Sequence, residues 1–274
     1  MRFKKLLYPY LIWILIFILV PVLLVVYYSF TIQGSNGTAV FSIKTFQRFF
    51  TSKYSDILIE SIKIALYTTV ICLLIGYPLA YFISKSKAKV KNVMILLTVI
   101  PMWMNFLLRT YAWVTILNKN GILNMILSYF SANPLNLIYT EKAVLIGMVY
   151  NFLPFMVLPI YSSLAKTDKA LLEASMDLGA TDRQSFWKVT FPLSLPGVLT
   201  GITMVFIPSI STFEISSLLG GNKYNLIGNV IEQQFRVTGD WNFGSSMSLI
   251  LLIFILISIL ITNKFGDDEG GGLM

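Results

Sequence analysis

Residues 166–197 read KTDKALLEASMDLGATDRQSFWKVTFPLSLPG. This polar stretch lies between two charge-free runs, Ala143–Ala165 before it and Val189–Phe213 overlapping its end. A spanning helix needs about 20 predominantly apolar residues, and both runs are long enough. The stretch is therefore a loop between two membrane spans, and it is too long for a simple turn. Thr167 or Asp168 can cap a helix whose apolar face holds Leu171, Leu172, Ser175 and Leu178. Gly179 is placed to end that helix in the left-handed conformation. Thr181 or Asp182 can cap a second short helix, with Phe186, Trp187 and Val189 available to pack. Pro192 and Pro196 are expected to break the chain before the next span. The reading is a compact helix–turn–helix standing outside the bilayer.

The same pattern extends outward along the chain. Charge-free runs at Leu6–Ile43, Ile64–Ser84, Asn92–Leu108, Thr110–Asn118 and Trp241–Asn263 complete the set. They predict an all-α membrane protein with six helices near 7–30, 57–84, 92–117, 142–165, 196–218 and 245–263. A β-barrel would show short alternating segments, and these runs are continuous. The first run is longer than the roughly 7–15 apolar residues of a signal-peptide core, and it reads as a retained helix. Composition agrees. Of 274 residues, 56% are hydrophobic and 12% charged, against roughly 25% charge in an average soluble domain. A soluble globule, a disordered chain and a disulfide scaffold are excluded. Histidine is absent, which excludes a His-built zinc site and imidazole catalysis. The lone Cys72 sits in an apolar run and reads as a small core residue. No paired intramembrane carboxylates or nucleophile elbow point to a membrane-embedded enzyme.

A net charge of +8 would suggest nucleic acid in a soluble protein. In a membrane protein it more often marks cytoplasmic loops. Lys85, Lys87, Lys89 and Lys91 form the densest cluster, and Lys166, Lys169, Arg183 and Lys188 fall in the 166–197 loop. Together with Arg2, Lys4 and Lys5 they predict cytoplasmic N- and C-termini and no nucleic-acid partner. On the outer side, Phe46, Phe49 and Phe50 after Ser42 predict a short interfacial helix, and Gly121–Phe130 predicts another. The chain divides into a first helix and outer interfacial loop (1–56), a five-helix core (57–263) and a cytoplasmic tail (264–274). The Gly-rich acidic end of the tail is expected to be disordered, and no internal repeat is visible.

Within the loop, Glu173-Ala174-Ser175, then Gly179-Ala180 and Phe191-Pro192-Leu193 with Pro196-Gly197, resemble the "EAA" loop of ABC importer permeases. Ser175 stands where that family often has a second Ala. The resemblance implies the type I ABC importer permease fold in a bacterial inner membrane. It also implies that the loop is a coupling helix docking on an ATP-binding subunit. Glu173 would be a charged handle for that partner, or pair with Lys169 four residues earlier. Ile100-Pro-Met-Trp103-Met-Asn105-Phe-Leu-Leu-Arg109-Thr-Tyr111-Ala-Trp113 is similar to the third span of spermidine/putrescine importer permeases. Gly76-Tyr77-Pro78-Leu-Ala80-Tyr81, Leu218-Leu-Gly220-Gly221, Leu226-Ile-Gly228-Asn229 and Asp240-Trp241-Asn-Phe-Gly244 fit the same pattern. Permeases for thiamine, ferric iron, sulfate and opines are partly similar, so the machine is better marked than its cargo. The implied partners are a second homologous permease, two ATP-binding cassette subunits and an external polyamine-binding protein. No Gly-x-x-x-x-Gly-Lys-Ser/Thr loop occurs in the chain, so ATP is expected on a partner, with no cofactor or metal here. A stand-alone channel or secondary transporter would have no use for a docking loop.

Ionisable residues inside spans are costly and are functional candidates by default. Glu60 and Lys63 are spaced to pair with each other. Arg109 lies within the third span, either as a partner of Glu214 or along the translocation path. Glu214, near the outer end of the fifth span, would lower the entry barrier for a polycation. Trp103, Tyr111 and Phe213 offer ring faces to ammonium groups, and Asn105 lies between the first two in sequence. Pro208, at mid-span in the fifth helix, and Pro154 and Pro159 in the fourth, are expected kinks.

Overall fold

The structure is a computed structural model that describes residues 9–33, 38–130 and 133–270. Its first helix, α1 (Pro9–Ser29), includes a π-turn at Leu15–Leu19. A two-stranded antiparallel ribbon follows, β1 (Thr31–Gln33) and β2 (Ala39–Phe41), with Ile32 opposite Val40. Then come α2 (Lys44–Phe49), α3 (Ser52–Lys85), α4 (Ala88–Trp103), α5 (Phe106–Leu117) and α6 (Ile122–Tyr129). The second half holds α7 (Glu141–Lys166), α8 (Lys169–Asp177), α9 (Asp182–Ser211), α10 (Glu214–Gly220), α11 (Ile227–Gln233) and α12 (Trp241–Gly270).

Among the described residues, five helices are long and apolar enough to cross a bilayer: α1, α3, α7, α9 and α12. The sixth expected span is not one straight helix. It breaks at Met104-Asn105, and the two pieces are bent by 97°. Pro101 lies in the last turn of α4, and Asn105 caps the next helix by accepting from the Leu107 and Leu108 amides. An N-cap requires non-helical backbone at the capping residue, so Asn105 ends one helix as it starts the next. The fifth span also departs from expectation. It begins at Asp182 and stops at Ser211, and α10 is a separate helix. Pro192 and Pro196 do not break it. A π-turn at Phe186–Thr190 stands just ahead of Pro192, where its wider winding accommodates the missing amide. Pro208 is in the last turn, not at mid-span.

The core is a tight packing of α3, α7 and α9. Without a hydrophobic drive between helices in lipid, small residues at contacts bring backbones together. A Cβ on Gly197 would come within 2.6 Å of the Pro159 carbonyl oxygen, and one on Gly201 within 2.7 Å of the Met156 sulfur. Cys72 is buried in this core, as expected. A second cluster joins α3, α9, α11 and α12 around Ala65, Ile210, Ile227, Phe243 and Met247.

The first helix packs on α12, held by Asn242 donating to the Tyr28 and Thr31 carbonyls and Ser246 donating to the Ser29 carbonyl. In the outer loop, α2 is shorter than the phenylalanine spacing suggests. Phe49 is buried, Phe46 half-buried, and Phe50 lies past the helix, exposed. The Gly-rich tail is helical as far as Gly270, because each added residue of a long helix gains a backbone hydrogen bond. Residues 271–274 lie outside the described residues.

Candidate functional site

The 166–197 loop is built as its local signals dictate. Asp168 caps α8, its carboxylate accepting from the Ala170 amide at 3.0 Å. Gly179 takes φ +83° and ends the helix, its amide donating to Met176. Thr181 and Gln184 form a reciprocal capping box at the start of α9. Ser175 and Ser185 join the two helices, hydroxyl to hydroxyl, at 2.7 Å. Ser175 also donates to the Leu172 carbonyl. The position that departs from the EAA pattern thus carries a bond an Ala could not make.

The loop is bolted to the membrane core by rings. Phe186 packs edge-on against Tyr77 and Tyr81 of α3, at 6.1 and 5.3 Å between centroids. Phe191 packs at a tilt against both Tyr77 and Trp187. The Tyr77 hydroxyl meets Ser194 at 2.9 Å. Tyr77, Tyr81, Ser185 and Ser194 were not expected at this site. The quoted Gly76–Tyr81 motif contains two of them, but nothing in its spacing reveals the partner.

On the other side the loop is unpartnered. Glu173 and Ala174 are exposed, Ala180 half-buried, and Pro192 and Pro196, well inside α9, are exposed. Leu178 is 89% exposed, and Leu171, Met176 and Trp187 are about half exposed. The Lys169 side chain lies outside the described residues.

The second group sits at the far end of the bundle. Helices α4 and α9 run from the loop end to the opposite end, where both break. Trp103 closes α4 and is 82% exposed, and Tyr111 on α5 is exposed too. The oxygen of Asn105 is committed to its cap. Phe213 and Glu214 stand at the other break, between α9 and α10. That break is fixed by Asn229 of α11, which donates to the Phe213 carbonyl at 2.9 Å and accepts from the Leu226 amide and the Ser216 hydroxyl. The Ile227 amide donates to Ser61 of α3. Phe213 lines a cavity of about 440 Å³ with Gly228, Ile231 and Phe235.

Helices α5 and α10 touch, yet Arg109 and Glu214 do not pair. Glu214 is half-buried and accepts from Thr212 at 3.3 Å. Arg109 is 7% exposed, with its carbon centre 5.7 Å over the Phe106 ring. Its Nε and Nη1 have no hydrogen-bond partner among the described residues. Glu60 and Lys63 do pair, at 3.2 Å.

Residues 72–265 match the family model described as "Binding-protein-dependent transport system inner membrane component". The chain is 38% identical over 267 residues to the spermidine/putrescine transport system permease protein PotB of Salmonella typhimurium, covering 93% of each. It is 41% identical to the PotB of Haemophilus influenzae, covering 91% of this chain and 88% of that one. Among solved structures it resembles a chain of a bacterial alginate ABC transporter, with a TM-score of 0.77 at 17% identity over 96% of this chain and 93% of that one. It also resembles a chain of the MetNI methionine ABC transporter, with a TM-score of 0.60 at 16% identity over 80% of this chain and 99% of that one. The fold is that of a type I ABC importer permease.

Proposed function

We propose, from the premise that the chain belongs to the binding-protein-dependent transport system inner membrane component family, that it forms half of the translocation path of an ATP-driven polyamine importer. It is a non-catalytic, multi-pass subunit of the inner membrane, and ATP hydrolysis belongs to partner subunits. Permeases of this kind carry no cofactor of their own. The family works with ATPase, binding-protein and second-permease partners. In our reading these are two ATPase copies, one homologous permease and one external polyamine-binding protein. Both termini, the Lys85–Lys91 cluster and the 166–197 loop then face the cytoplasm.

The observation that carries the substrate is the identity to spermidine/putrescine permeases along nearly the whole chain. The loop supports the mechanism. A rigid, capped turn with an exposed apolar face suits docking on an ATPase, and its aromatic bolts to α3 pass a rigid-body motion into the core. At the far end, Glu214 offers a carboxylate and Trp103, Tyr111 and Phe213 offer rings to a polycation. The test is uptake of labelled spermidine by cells expressing the chain with its neighbouring subunits, in competition with unlabelled putrescine and thiamine. Competition by putrescine alone, with an ATPase co-purifying, is the expected result. Competition by thiamine alone would move the chain to another importer, and uptake with no ATPase attached would remove the coupling role.

A further inference from the structure

A cavity of about 790 Å³ belongs to neither group of residues above. It lies at the end of the bundle remote from the 166–197 loop. Tyr27 and Tyr28 at the end of α1, Lys44 and Arg48 of α2, and Asp240 and Trp241 at the start of α12 line it. We propose that this cavity holds the phosphate headgroup of an anionic phospholipid from that leaflet.

Charge argues for an anion. Arg48 is spent on Asp240, at 2.8 Å, with its carbon centre 4.0 Å over the Phe243 ring. Lys44 makes no ion pair among the described residues. The lining therefore keeps one uncompensated positive charge, which matches the single negative charge of a phosphodiester. A polyamine would be repelled.

Position argues for a lipid over a soluble anion. The cavity is walled on one side by α1, none of whose spanning window is buried within this chain, as suits a helix that meets lipid. Its aromatic residues sit where two spans emerge, the level at which Tyr and Trp meet headgroups. Phe41, Ile43 and Phe50, beside Lys44 in the chain, are half or more exposed. Such apolar surface suits acyl chains and has no use for an anion arriving from water. An unpaired cation in a pocket beside a span attracts a negatively charged headgroup by simple electrostatics.

The test uses the full-length chain in nanodiscs of equal phosphatidylglycerol and phosphatidylethanolamine, followed by detergent extraction and mass spectrometry of the retained lipid. Wild type is expected to keep phosphatidylglycerol selectively. Lys44→Gln is expected to lose that selectivity by about fivefold, the effect of one Lys near a charged headgroup, and Lys44→Arg to restore it. Adding inorganic phosphate should leave the retained lipid in place. Unchanged selectivity in Lys44→Gln, or equal retention of phosphatidylethanolamine in wild type, would overturn the proposal. Displacement by inorganic phosphate would assign the cavity to a free anion and overturn the lipid.

Discussion

The hydroxyls of Ser175 and Ser185 meet at 2.7 Å across the turn made by Gly179. Ser185 is buried, so its hydroxyl has no water to fall back on. Leaving a buried polar group unpaired costs about 1–3 kcal/mol, whereas replacing both partners by apolar groups is nearly neutral. Ser175→Ala alone should therefore loosen the loop, seen as faster amide exchange over 169–190 and as ATP hydrolysis less well coupled to uptake. The double variant Ser175→Ala with Ser185→Ala should recover most of both. A double variant worse than the single would show that the hydroxyl pair is not the contact that matters.

Gly179 has φ +83°, and a Cβ added there would meet nothing within 4 Å. The cost of Gly179→Ala is then purely backbone, about 1–2 kcal/mol for an L-residue in the left-handed region. Uptake should fall while the amount of chain in the membrane stays near wild type. Gly179→Asn should be milder, because Asn tolerates that conformation better than Ala. Immunoblots of membranes beside uptake rates check both. Equal damage by Asn and Ala would point to a contact with the partner subunit at this position.

Gly228 presents the opposite case. A Cβ there would stand 2.5 Å from the Ser211 carbonyl oxygen and 2.9 Å from that of Thr212. Both are backbone atoms at the end of α9, and they cannot swing aside. Gly228→Ala should drive α11 away from the Thr212-Phe213 break and lower the level of folded chain, beyond the effect of Gly179→Ala. Thermal unfolding of the purified variants reads the order directly. An unchanged melting temperature for Gly228→Ala would mean that α11 can give way at this approach without loss of stability.

The loop was legible in the sequence because its signals are local. Asp168, Gly179, Thr181 and Gln184 each act within a few residues, and each does what its type predicts. The break in the third span and the ends of the fifth are not legible, because hydropathy reports apolar length and is blind to direction. Asn105 sits inside a clean apolar run, and its role as a cap needs the backbone to turn first. Pro192 and Pro196 looked like breakers because nothing in the sequence announces the π-turn ahead of them. The Tyr77–Ser194 bond and the Asn229 contacts join distant segments, and one chain without its relatives holds no record of such pairs.

The missing ion pair between Arg109 and Glu214 separates two roles that the sequence left joined. Glu214 is half-buried, and among the described residues its side chain accepts from Thr212. Glu214→Gln keeps that bond, so the complex should assemble normally while spermidine uptake falls several-fold through loss of the carboxylate charge. Arg109 is a buried cation with two nitrogens unbonded. Such a group is costly to keep, so Arg109→Met should leave the melting temperature of the purified chain unchanged or raised. Residues that share no contact act additively. Uptake by the double variant should thus equal the product of the two single effects. A double variant no worse than Glu214→Gln would show that the two charges meet in another state of the transport cycle.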